Sequence, residues 1–304
     1  MTQLFASPDD VRDRLAAVGY LPDGAIATTV FLAAALGKPL LVEGPAGVGK
    51  TELAKAVAAA SGSGLVRLQC YEGLDEARAL YEWNYKKQLL RIQASTGEWE
   101  RRADERGTSE KASATTRWDD VHDDIFTEEF LLERPLLRAI RRTEPTVLLI
   151  DETDKADVEV EGLLLEVLSD YQVTIPELGT VAAERTPFVV LTSNATRELS
   201  EALKRRCLYL HLDYPAPERE REIVLAQVPD IEGTLVTKLV QIVATLRALE
   251  IKKPPSIAET IDWARTLIAL GLDDLDEDAI AATIGVVLKH VSDQQRALKE
   301  LGRA

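Results

Sequence analysis

Leu40-Leu41-Val42-Glu43-Gly44-Pro45-Ala46-Gly47-Val48-Gly49-Lys50-Thr51 decides the fold. Three apolar residues that read as the end of a buried strand run into Gly44, and Gly49-Lys50-Thr51 follows after four intervening residues. Leu53, Ala54, Val57 and Ala58 then recur at helical spacing. Strand, glycine loop and helix form the context that a phosphate-binding loop requires. The glycines let successive backbone N–H groups turn onto anionic oxygens at a helix N-terminus whose dipole favours negative charge. On this reading Gly44, Pro45, Ala46, Gly47, Val48 and Gly49 cradle the phosphates. Lys50 reaches the β- and γ-phosphates, and the Thr51 hydroxyl binds Mg²⁺, so the expected ligands are ATP and Mg²⁺.

Outward from that loop, apolar β-type runs at Leu65–Cys70, Thr146–Asp151, Phe188–Thr192 and Leu208–Leu212 are separated by helical patterns. Such alternation predicts an α/β domain with a parallel sheet covered on both faces. Ser7-Pro8-Asp9-Asp10 opens a capped helix, and residues 24–36 form an alanine-rich one. Gln172–Ile175, a turn at Pro176–Gly179 and Thr180–Ala183 predict a hairpin. Past Pro215-Ala216-Pro217 only helical periods remain: Leu235, Leu239, Ile242, Leu246 and Leu249; Ile261, Ala264 and Ile268; Ile280, Ile284 and Val287. The expected division is therefore a nucleotide-binding domain over residues 1–214 and a helical domain over 215–304.

Between Gly97 and Asp124, 14 of 28 residues are charged, which leaves too little apolar surface to offset the entropy of ordering and predicts a mobile insertion. It is flanked by Leu80, Tyr81, Trp83 and Tyr85 before and Ile125, Phe126, Phe130, Leu131 and Leu132 after. Core helices carrying a solvated loop and a partner-contacting arm both fit that pattern.

The chain of 304 residues carries 51 acidic and 36 basic side chains, a formal net charge of −15, which opposes a surface built to coat nucleic acid. Two cysteines far apart in sequence and three scattered histidines give neither a disulfide framework nor a metal-ligand spacing. The sequence shows no stretch of membrane-spanning length and no export signal, so a cytoplasmic protein is expected.

Two further strand ends carry chemistry. Val147-Leu148-Leu149-Ile150-Asp151-Glu152 places two acids at the sheet edge where the phosphate loop also ends. Asp151 is expected to hold Mg²⁺, directly or through water, and Glu152 to polarise the attacking water; a helix-capping carboxylate is the alternative. Phe188–Asn194 ends in a polar cluster in which Asn194 can hydrogen-bond the water or the γ-phosphate, or merely serve a turn. Lys204-Arg205-Arg206 precedes the last strand, either as a solvated basic corner or as an arginine finger reaching the γ-phosphate held by a neighbouring subunit.

These motifs resemble the MoxR branch of the AAA+ ATPases. Gly44–Thr51 is similar to its Walker A, Asp151-Glu152 to its Walker B, Thr192-Ser193-Asn194 to its first sensor and Leu203–Arg206 to its finger segment. The segments Glu128–Leu137, Leu164–Asp170 and Gln172–Ile175 look most like the CoxD-like members, accessory ATPases for molybdenum–copper carbon monoxide dehydrogenase. The resemblance implies a five-stranded parallel sheet, a helix-two insertion after Leu74, a pre-sensor hairpin over residues 171–187 and a C-terminal helical lid. It also implies catalytic roles for Lys50, Glu152, Asn194 and Arg206, with Arg205 as a second candidate. Further implications are a homo-hexamer, a chaperone activity on a metalloenzyme client and a partner with a von Willebrand A domain.

The sequence departs from the family at Pro254-Pro255-Ser256-Ile257-Ala258-Glu259, where a second-sensor arginine is usual, and at Thr153, where an aliphatic residue is commoner. Arg265 lies about two helical turns past Ala258 and does not replace that arginine. Two other function classes stay open on sequence. One is a nucleic-acid motor whose pore is lined by Arg134, Arg138, Arg141 and Arg142, and the other is a nucleotide-dependent scaffold that does no work on its partner.

Overall fold

The computed structural model describes residues 4–94 and 124–302. The expected insertion over 97–124 lies outside the described residues except at its last position.

Two helices precede the phosphate loop. Helix α1 (Pro8–Ala17) starts at Ser7, whose Oγ accepts from Asp10 N at 3.1 Å; α2 (Gly24–Leu36) starts at Asp23, which accepts from Ile26 N at 2.7 Å. Strand β1 (Leu40–Glu43), the loop and α3 (Lys50–Ser61) follow, then β2 (Gly64–Gln69) and a short helix, α4 (Glu76–Ala79). A two-stranded antiparallel piece, β3 (Tyr81–Trp83) with β4 (Leu131–Glu133), brackets the undescribed segment. The sequence reading of core helices there is corrected in part. Residues 85–94 are helical, but Tyr81–Trp83 and Leu131–Glu133 are strands whose ladder ties the two ends of the insertion together.

After α5 (Pro135–Arg141) come β5 (Thr146–Asp151), α6 (Val158–Asp170), the hairpin β6 (Gln172–Ile175) and β7 (Gly179–Ala182), β8 (Phe188–Ser193), α7 (Glu201–Arg206) and β9 (Leu208–His211). The main sheet has the order β2-β5-β8-β1-β9 with every pair parallel.

All six residues of β5 and of β8 are buried, as central strands covered on both faces require. Their side chains alternate between two cores. Leu148, Ile150, Val189 and Leu191 pack with α5 and α6 through Leu136, Leu137, Leu164 and Leu168. Val147, Leu149, Phe188 and Val190 pack with α1, α2 and α3 through Leu15, Val30, Leu53 and Val57. Each fully buried aliphatic side chain contributes about 1.5–3 kcal/mol of transfer free energy, so a one-residue slip in either strand would exchange the cores and forfeit most of it.

The C-terminal elements are α8 (Pro217–Gln227), α9 (Gly233–Ala248), α10 (Ile257–Ala269), α11 (Glu277–Thr283), a 3₁₀ turn at Ile284–Val286 and α12 (Val291–Leu301). They enclose a third core from Val224 to Ala297 around the fully buried Trp263, whose Nε1 donates to Thr283 Oγ1 at 2.8 Å. That indole shifts the buried face of α10 from the one expected. Thr260, Trp263, Ala264 and Leu267 point inward, whereas Ile268 is 39% exposed. No described helix is long and apolar enough to cross a membrane.

Candidate nucleotide site

The parallel register brings the ends of β1, β5 and β8 to one edge of the sheet. Glu43 lies opposite Ser193, and Gln69 lies opposite Asp151. In open α/β sheets this carboxyl edge is where ligands bind.

The loop from Gly44 to Gly49 is held by two close approaches that exclude side chains. A Cβ on Gly44 would lie 1.9 Å from Leu212 O. Gly47 has φ +76°, and a Cβ there would lie 2.3 Å from Ser256 Cβ and 2.6 Å from its Oγ. Ser256 caps α10 with a reciprocal pair, Glu259 N to Ser256 Oγ at 3.3 Å and Ser256 N to Glu259 Oε2 at 2.8 Å. The phosphate loop is therefore in contact with the C-terminal helices at the stretch where the sequence lacks a second-sensor arginine. Arg265 is exposed and lies 3.5 Å from Asp262.

Lys50 is buried, and its Nζ donates to Gly44 O at 2.7 Å, Pro45 O at 2.7 Å and Asn194 Oδ1 at 2.8 Å. Burial lowers its pKa from the ordinary lysine value, opposed by the field of Asp154, Asp151, Glu152 and Glu43. Thr51 Oγ1 donates to Asp151 Oδ1 at 2.9 Å and lies 3.2 Å from Oδ2. The Thr192 hydroxyl donates to Asp151 Oδ1 at 2.5 Å, and Arg67 reaches Oδ2 at 2.6 Å. Asp151 caps no helix: its lone pairs are taken by the site.

Glu152 has φ 56°, a left-handed conformation costing about 1–2 kcal/mol for a residue with a Cβ. Its N–H donates to Thr192 Oγ1 at 2.9 Å, and Gln69 Nε2 donates to its Oε2 at 3.1 Å. Ala195, at φ 56°, is strained in the same way immediately after Asn194. Strain at two residues flanking one cluster marks a geometry maintained for use rather than for stability.

Asp154 supplies the support that the sequence reading missed. It is 3% exposed, and its carboxylate accepts from Asn194 N at 3.2 Å, Thr196 N at 3.1 Å and Thr196 Oγ1 at 2.5 Å. Burial pushes its pKa up, but the Thr196 hydroxyl and the two backbone N–H groups outweigh that and hold it below the ordinary carboxylate value. Its position two residues after Glu152 is the only signal the sequence carried for it.

The remaining predicted residues stand apart. Arg206 Nε donates to Ser169 Oγ at 2.8 Å and one of its terminal nitrogens donates to Ala202 O at 3.1 Å. The Arg205 side chain is 82% exposed and 4.0 Å from Glu201. Both sit at the end of α7 and take no part in the hydrogen bonds between Lys50 and Asn194 or among Thr51, Asp151, Thr192 and Glu152. Of the four arginines considered for a nucleic-acid pore, three are paired with acids: Arg134 with Glu82, Arg141 with Glu128 and Glu133, and Arg142 with Glu144. Cys70 and Cys207 are free thiols, each pushed up to about 12 by burial, and no group of metal-ligating side chains of the His, Cys, Asp and Glu type occurs among the described residues.

A loop in which no Cβ fits at Gly44 or Gly47, a buried ammonium beside it, and a hydroxyl with a carboxylate as hard oxygen donors match a magnesium nucleotide. The fold and this site define a P-loop nucleoside triphosphatase. The family model for the AAA domain (dynein-related subfamily) matches residues 39–207, more than half of the chain, and the chain belongs to that family; it is an ATP hydrolase. Protein NorQ of Paracoccus denitrificans (strain Pd 1222) is 24% identical over 294 residues, covering 94% of this chain and 93% of that protein. Uncharacterized protein SH1500 of Staphylococcus haemolyticus (strain JCSC1435) is 26% identical over 242 residues, 77% of each chain. Among solved structures, the RuvB Holliday junction branch migration motor of Thermotoga maritima is similar over 91% of this chain and 68% of that one, at 16% identity and a TM-score of 0.47.

Proposed function

We propose that this chain is a MoxR-type AAA+ ATPase that uses ATP hydrolysis to remodel or activate a protein client. Residues 1–214 form the nucleotide-binding domain and 215–304 the lid. The observation that carries the hydrolytic part is the convergence on one sheet edge of two hydrogen-bonded sets, Lys50 with Asn194, and Thr51 with Asp151 and, through Thr192, Glu152. Thr51 and Asp151 hold Mg²⁺, which when bound neutralises phosphate charge. Lys50 exchanges its bonds to Gly44 O and Pro45 O for phosphate oxygens. Glu152 accepts a proton from the water whose oxygen bonds to the γ-phosphorus, while the bond to the β–γ bridging oxygen breaks to leave ADP and phosphate. Asn194, already bonded to Lys50, orients that water or the γ-phosphate. Arg206 completes the site of the adjoining subunit in a hexameric ring, with Arg205 beside it.

The client is a metalloenzyme undergoing maturation, of the molybdenum–copper carbon monoxide dehydrogenase type, with a von Willebrand A domain protein as partner. The motif likeness to CoxD-like members supports that reading, and the near full-length likeness to NorQ is compatible with it. Glu152→Gln tests the core of it. The variant should bind ATP with about wild-type affinity and lose at least about a hundredfold in steady-state turnover. Incubated with ATP and cell extract, it should retain the client in a pull-down. Unaltered turnover would remove Glu152 from the role of base. Stalled hydrolysis with full client activation would leave a nucleotide-dependent scaffold as the correct description.

A further inference from the structure

Asp151 is 3% exposed, and a carboxylate so buried needs a compensating cation. Among the described residues, its only ion pair comes from Arg67, whose guanidinium donates to Asp151 Oδ2 at 2.6 Å. The two hydroxyls in contact with the carboxylate, Thr51 and Thr192, share Oδ1, so the guanidinium is the main partner of the other oxygen.

Arg67 lies on β2, at the edge of the main sheet. In register it is opposite Leu149, two residues short of the Gln69–Asp151 pair, and its side chain runs along the strand to reach the acid. The same guanidinium nitrogen donates to Gln69 Oε1, leaving the Gln69 amide nitrogen to donate to Glu152. The Arg67 side chain is 47% exposed and can leave Asp151 for solvent without opening a cavity in either core.

We propose that Arg67 is a displaceable placeholder cation: it neutralises Asp151 in the nucleotide-free protein, and a magnesium nucleotide must expel it to bind. The inference rests on the assignment of Asp151 and Thr51 as the magnesium-holding residues. Its physical basis is competition. A guanidinium hydrogen-bonded to a carboxylate oxygen occupies the lone pairs and the space that a dication would take, and the two positive charges repel. The apparent magnesium affinity is therefore reduced by the fraction of molecules in which Arg67 is seated. Arg67 is on this account a positioning residue, acting on the reaction through Asp151 and through the orientation of Gln69.

The test measures binding and stability as well as turnover. Binding of a fluorescent methylanthraniloyl-ATP is titrated with Mg²⁺ for the wild type, Arg67→Gln, Arg67→Lys and Asp151→Asn, and thermal unfolding is recorded for each in EDTA and in saturating Mg-ATP. For Arg67→Gln the Mg²⁺ midpoint should fall about fivefold, the coupling expected for one half-exposed ion pair. Its melting temperature should drop in EDTA and return to the wild-type value with Mg-ATP. Arg67→Lys, which keeps the charge, should lie between the two. An unchanged midpoint in Arg67→Gln overturns the inference. A raised midpoint also does so, because it would mean that Arg67 helps to hold the nucleotide. If the wild type shows no Mg²⁺ dependence, or Asp151→Asn matches it, the magnesium assignment itself fails and the inference goes with it.

Discussion

Asp154, in the 3₁₀ turn Thr153–Lys155 that follows β5, bears most on how the nucleotide-facing groups hold their positions. Its carboxylate gathers Asn194 N, Thr196 N and the Thr196 hydroxyl, and so holds the turn in which Ala195 is strained and from which Asn194 meets Lys50. Asp154→Asn puts an amide N–H₂ where one of these donors points and should cost about 1–3 kcal/mol of stability. It should lower turnover about tenfold with little change in ATP affinity, since Lys50 and the loop remain. Titration gives a second readout. The folded-state pKa of Asp154 is depressed, so its contribution is complete above the unfolded value of 3.8 and fades as pH falls through the lower folded value. The stability gap between wild type and Asp154→Asn should be flat from about pH 5 to 8 and shrink below about pH 4. A gap that is unchanged down to about pH 2 would show that the carboxylate charge is not what holds the turn.

Among elements, the phosphate loop and α10 set a limit on one another. Gly47→Ala adds a methyl group inside van der Waals contact of Ser256 and places a non-glycine residue at φ +76°. The conformational part alone costs about 1 kcal/mol, and the clash adds to it. Ser256→Gly by itself gives up the N-cap bond, worth a few tenths of a kcal/mol to about 1. Combined, the two substitutions should be less damaging than their sum, because the glycine makes room for the alanine methyl; a double-mutant cycle on melting temperature reads the difference. Strict additivity would mean that the loop and the helix cap do not touch in solution.

This contact was out of reach of the sequence, whereas the loop itself was plain in it. Gly44–Thr51 is a local signal, with strand, turn and helix all within a dozen residues. The seat of Ser256 beside Gly47 and of Arg67 beside Asp151, 84 residues away, depends on register and on how separate elements dock. The short pair β3–β4 was missed for a related reason: three residues carry no period, and only the ladder reveals them. On α10 the aliphatic residues suggested one face and the indole of Trp263 selected another, since the largest apolar side chain gains most by burial.

At the scale of the whole molecule, the strand order places the three motif-bearing strands, β5, β8 and β1, side by side in the middle of the sheet, and the arginines of α7 beyond them. Arg206 is tethered to Ser169 and Ala202 rather than to the site of its own chain, an arrangement suited to action on a neighbour. If so, Arg206→Ala and Lys50→Ala subunits, each inactive alone, should regain part of their ATPase activity when mixed, through interfaces that retain both groups. Random mixing in equal amounts leaves about a quarter of interfaces intact, so recovery to roughly that fraction of wild-type turnover is expected if the sites act independently. A ring shown to be mixed that recovers nothing would count against action between subunits.

The seat of Ser256 against Gly47 also has a consequence for conditions of use. Where a lid is linked to its nucleotide by an arginine, the link is Coulombic and dissolved ions weaken it across a Debye length of about 8–10 Å. Here Ser256 sets an uncharged hydroxymethyl group against a backbone that has no side chain. Communication between the phosphate loop and the C-terminal helices should therefore change little with ionic strength. Nucleotide-induced protection of α10 from hydrogen exchange, measured in dilute buffer and again in about 0.5 M potassium chloride, should be the same in both.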